Sequence, residues 1–73
     1  MSEILVIVPP EWTLVDSNLV MDIVSVSLPD LAAMQGHVPS DLTARLVAAG
    51  YIDADKRVID VLVLDNNLYL RIE

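Results

Sequence analysis

The residues with the chemistry of a hydrolase gather between positions 27 and 41. His37 is the single histidine of the chain, and Ser27, Asp30, Ser40 and Asp41 stand near it in sequence. A hydroxyl, an imidazole and a carboxylate in that company could in principle form a nucleophilic triad. A triad also needs an oxyanion hole and a pocket that encloses a substrate, and a chain of 73 residues scarcely provides a cleft. Both serines and both aspartates fall where helices are expected to start, and there short polar side chains accept backbone N–H groups. The expectation is a non-enzymatic protein with no catalytic residue, in which His37 serves a connector or an interface.

A second constellation is Asp53-Ala54-Asp55, which opens like a calcium loop. An EF-hand continues with further oxygen ligands, a central glycine and a closing glutamate. Here Lys56 and Arg57 follow and the glycine is missing, so the segment reads as a solvated turn. Cysteine is absent, which removes disulfides, thiolate metal sites and thiol chemistry together. One histidine cannot make a histidine-rich site. No metal and no cofactor are expected.

Charge narrows the partners. Eleven carboxylates against Arg45, Lys56, Arg57 and Arg71 give a net charge of −7. Nucleic-acid binding depends on clustered Lys and Arg that neutralise phosphates, so no nucleic-acid partner is expected, and anionic membrane surfaces are disfavoured for the same reason. The longest clean apolar runs, Ile4–Pro10 and Val61–Leu64, fall far below the roughly 20 residues that cross a bilayer. Ser2-Glu3 has the wrong polarity for a signal peptide. The sequence is therefore read as cytoplasmic or as part of a virion.

The elements that must position these residues read as an α+β domain spanning 1–73: a small, mostly antiparallel sheet with two short helices. Glu3–Val8 is a β-branched apolar run that predicts a buried or interface strand, and Pro9-Pro10 stops it because proline cannot donate to a ladder. Thr13–Val15 and Leu19–Val26 read as two strands around the turn-prone Asp16-Ser17-Asn18. Ser27-Leu28-Pro29-Asp30 has the form of a short capping box with proline in the first turn, and Gly36 ends that helix. Ser40 is expected to cap a second helix beginning at Asp41, with Leu42, Leu46, Val47 and Ala49 as its apolar stripe and Gly50 closing it. A C-terminal β-hairpin follows, Arg57–Leu64 with Leu68–Glu73 about Asn66-Asn67, since asparagine tolerates the positive φ of a tight turn. That placement sets Val63 opposite Leu70, Val61 opposite Ile72, and the two acids Asp60 and Glu73 opposite each other.

Helix, turn, helix and hairpin, in the order seen over Pro29–Glu73, is similar to a winged-helix module. The similarity is one of fold and carries little about function. A DNA reader would contact bases and phosphates from Asp41–Ala49, where Arg45 is the one cation, and through a wing turn that here reads Asp65-Asn66-Asn67. A winged-helix-like adaptor for proteins is the form of this idea that the charges allow.

What the sequence argues most strongly is association. Apolar residues make up 55% of the chain and the mean hydropathy is +0.58, above the ordinary globular range of roughly 45–50%. At this size a chain buries only about 60% of the surface it exposes when unfolded, so some of those side chains are expected in a patch that a partner covers. Ile4, Val6 and Val8, on a strand without a charged guard, are candidate interface residues, because a bare edge recruits other strands. Trp12 and Tyr69 are candidate anchors, since binding energy concentrates in such side chains. The expected function is a structural or interaction protein, one subunit of a homo-oligomer or hetero-assembly of protein partners, with a small phage virion component as a concrete case. The alternative is an acidic regulator that occupies a basic protein surface, with Asp53, Asp55, Asp60, Asp65 and Glu73 clustered on one face.

Overall fold

The computed structural model describes residues 10–73. Pro10 and Glu11 form a turn that leads into strand β1, Trp12–Val15. Asp16 then caps helix α1, Ser17–Val24: its side chain accepts from the N–H groups of Asn18 and Leu19 at 3.1 and 3.2 Å. This corrects the reading of Leu19–Val26 as a strand. Its β-branched residues favour a sheet only weakly when tertiary packing points elsewhere. Asp16-Ser17-Asn18 is a capped helix start rather than a turn, and the i, i+4 pair Val20 and Val24 is the buried stripe. Ser25, in the left-handed region at φ 56°, ends the helix.

Helix α2, Leu28–Ala33, begins as expected. Ser27 accepts from the Asp30 N–H at 3.4 Å, and proline sits in the first turn. Helix α3, Ser40–Ala48, starts one residue earlier than expected, so Pro39 takes the cap position and makes no side-chain cap hydrogen bond. Ser40 is the first helical residue rather than the cap. The far end of α3 is a Schellman motif: the Gly50 N–H donates to Val47 and the Tyr51 N–H to Leu46, both at 2.9 Å, with Gly50 at φ 75°. The described residues thus hold three helices, one more than expected, in an α+β fold with a C-terminal hairpin.

Strands β2, Val58–Leu64, and β3, Asn67–Ile72, form that hairpin. Its turn is Asp65-Asn66, at φ 54° and 63°, the two positive values a type I′ turn requires. The turn lies one residue earlier than expected, and the register moves by two. Val63 faces Leu68, Val61 faces Leu70, and Asp60 faces Arg71 rather than Glu73. A shift of two keeps every side chain on its expected face and separates the two acids. A bulge between Val58 and Asp60 then adds one residue and changes the alternation. Val58 and Val61, an odd number of positions apart, are accordingly both buried.

β1 pairs antiparallel with β3, Trp12 opposite Arg71 and Leu14 opposite Tyr69, so the sheet order is β1-β3-β2. The helices contribute Val20, Val24, Leu31, Leu42 and Leu46 to one core cluster with Val58, Val61, Leu68 and Leu70 from the hairpin. Leu31, Leu46, Leu68 and Leu70 are wholly buried. The helices therefore cover one face of the sheet, the face that carries Leu68 and Leu70.

Candidate functional site

The hydrolase constellation does not assemble. His37, Ser27, Asp30, Ser40 and Asp41 are all exposed. Ser27 serves the Asp30 N–H, and the Asp41 carboxylate accepts from Arg45 Nε at 2.9 Å. No side-chain hydrogen bond reaches His37 among the described residues, and its own N–H donates to the Met34 carbonyl at 2.9 Å. Asp53-Ala54-Asp55 is an exposed turn closed by the Lys56 N–H on the Asp53 carbonyl at 3.0 Å. Among the described residues no three His, Asp or Glu side chains converge as a metal site would require, and no helix is long and apolar enough to cross a membrane. An open depression of about 370 Å³ lies where α3 meets β2, lined by Val38, Ser40, Thr43, Arg57, Val58 and Ile59. Its one cation, Arg57, is 71% exposed and stands 3.9 Å from the Glu73 carboxylate.

The five carboxylates of the acidic-binder reading do not form one cluster. Asp65 sits in the hairpin turn and Glu73 pairs with Arg57 at the other end of the same two strands. Asp60 is half-buried and its carboxylate is engaged by backbone, accepting from the Gly36 N–H at 2.7 Å and from the Val61 N–H at 2.9 Å.

What the structure does bring together is an apolar surface on the reverse of the sheet. Leu68 and Leu70 point into the core, so Tyr69 and Arg71 between and beside them point away. The register then places Leu14, Tyr69 and Leu62 in one row across the three strands, with Trp12 beside Arg71 in the next row and Leu64 at the turn end. Directly opposed side chains in such rows stand in contact. Leu14 is 60% exposed and Trp12, Leu62, Leu64 and Tyr69 are half-buried. The two expected anchors, Trp12 and Tyr69, thus share one face. Leu14, Leu62 and Leu64 join them, and nothing local in the sequence marks these three as surface residues. Ile4, Val6 and Val8 lie outside the described residues.

The two edges of this sheet are treated differently. On β2 the bulge interrupts the ladder, the Val58 N–H donates to Thr43 Oγ1 at 2.9 Å, and the Val61 N–H is held by Asp60. Bulges and side-chain caps of this kind blunt an edge. β1 reads Trp-Thr-Leu-Val with no charge and no proline, and among the described residues no side chain caps its backbone.

No family model, curated protein or solved structure matches this chain.

Proposed function

We propose that the protein is a non-enzymatic structural subunit that assembles with copies of itself through the open face of its sheet, as a small virion component would. The observation that carries this reading is the row Leu14–Tyr69–Leu62 with Trp12 beside it, on the face the helices leave uncovered. Such a face is costly to leave in water, and association is the ordinary way of covering it. The net charge of −7 is compatible with assembly because the open face carries Arg71 and the uncharged row Leu14–Tyr69–Leu62, while Asp53, Asp55 and Asp65 sit in loops and turns.

Light scattering on a size-exclusion column, at low and at high salt, tests the reading. An oligomer whose mass does not change with salt supports it, because apolar contacts are insensitive to screening. A monomer of 8.0 kDa at both salt concentrations contradicts it.

A further inference from the structure

The connector between α2 and α3, residues 34–39, is tied to the sheet by one side chain. Asp60 Oδ1 accepts from the Gly36 N–H at 2.7 Å, and the same oxygen accepts from the Val61 N–H of its own strand at 2.9 Å. We propose that this connector is a strap with Asp60 as its latch, and that release of the latch opens the depression between α3 and β2. The inference is independent of the self-association proposed above.

Three observations carry it. First, the strap is pinned at its ends and loose between them. Leu31 in α2 and Leu42 in α3 are buried in the core, whereas Gln35, Gly36, His37 and Pro39 are exposed and Met34 and Val38 half-buried. The other backbone bonds here are local: the Gln35 N–H donates to Ala32, the His37 N–H to Met34 and the Leu42 N–H to Pro39. A swing of the segment leaves them intact. Among the described residues, Asp60 is the one group outside this stretch that hydrogen-bonds to the backbone of the connector.

Second, the latch sits on a hinge. Gly36 takes φ 84°, a region that costs glycine nothing, and no atom stands within 4 Å of where its Cβ would be. Release strands neither partner: the exposed Gly36 N–H takes water, and Asp60 keeps the Val61 N–H.

Third, the strap forms a wall of the depression. Val38 lines it from the connector, Ser40 and Thr43 from the first turn of α3, and Val58 and Ile59 from β2. Two side chains tie these walls together, Asp60 to the Gly36 N–H and Thr43 to the Val58 N–H at 2.9 Å. The Thr43 bond joins a helix to a strand. The Asp60 bond joins a strand to a loop, and loops are where local opening costs least.

Native-state amide exchange of the full chain tests the strap. The Gly36 amide is expected to exchange faster than the core amides of Leu46, Leu68 and Leu70, at a rate that low urea leaves unchanged, because local opening exposes little surface. Exchange of Gly36 at the core rate, with the core's urea dependence, would show that the connector opens only when the whole domain unfolds, and overturns the proposal. In Asp60→Ala the Gly36 amide should exchange roughly tenfold faster or more, as loss of a hydrogen bond to a charged group implies. Asp60→Asn, whose carbonyl still accepts, should fall between parent and Asp60→Ala. A soluble paramagnetic probe should relax the Val38 and Val58 methyl groups more strongly in Asp60→Ala than in the parent. Gly36 exchange that ignores both substitutions, or methyl groups no more accessible in folded Asp60→Ala, overturns the latch.

Discussion

Leu70 and Tyr69 are neighbours in sequence and belong to opposite worlds. Leu70 is wholly buried among residues of three helices and two strands. Tyr69 stands on the reverse face, in a row with Leu14 and Leu62. The two faces of the sheet draw on the same aliphatic vocabulary, and hydrophobicity alone does not tell them apart. What separates them is that Val20, Val24, Leu31, Leu42 and Leu46 all deliver their side chains to one side. A small domain with three short helices covers one face of a three-stranded sheet and leaves the other without helices.

The largest effect that would break this comparison is on the core side. Leu70→Ala is expected to cost about 2–5 kcal/mol, the usual range for truncating a buried leucine. In a domain of this size that is much of the total stability, so urea unfolding should show a shifted or lost transition. Leu14→Ala, on the open face, should change the same transition by less than about 0.5 kcal/mol. Equal losses at the two positions would show that the open face is covered within the subunit.

The next effect concerns the guarded edge. Thr43→Val keeps the shape of the side chain and strands the buried Val58 N–H, at a cost of about 1–3 kcal/mol. The same unfolding experiment reads it. Asp16→Ala removes the cap of α1, and about 1 kcal/mol is the usual loss. A change near zero there would mean that packing of Val20 and Val24 alone holds the helix. The smallest effect belongs to Arg45→Ala, which deletes the exposed i, i+4 pair with Asp41 and should move stability by roughly 0.3–0.5 kcal/mol.

The helix boundaries at Ser27 and Gly50 were legible because capping and positive φ leave local signatures, whereas α2 stops at Ala33, three residues before the Gly36 expected to end it. Helix α1 was not legible, since Leu19–Val26 is apolar on both the strand period and the helix period. Asp16 held the deciding signal, in a triplet that serves equally well as a turn. The hairpin's faces survived a misplaced turn because the error in register was even. The site was legible only in part. Trp12 and Tyr69 stand out by residue type, but their shared face depends on β1 pairing with β3, a contact between residues far apart in sequence. No local pattern reports such a pairing, and for that reason Leu14, Leu62 and Leu64 went unmarked.

The central claim is that the open face is where subunits meet. The most direct measurement is the solution mass of the double variant Leu14→Asp/Tyr69→Asp beside the parent chain, by light scattering at equal concentration. Two carboxylates in that row should disperse the assembly to single chains of 8.0 kDa while the circular dichroism spectrum keeps its form. A folded double variant that retains the parent's oligomeric mass would contradict the account.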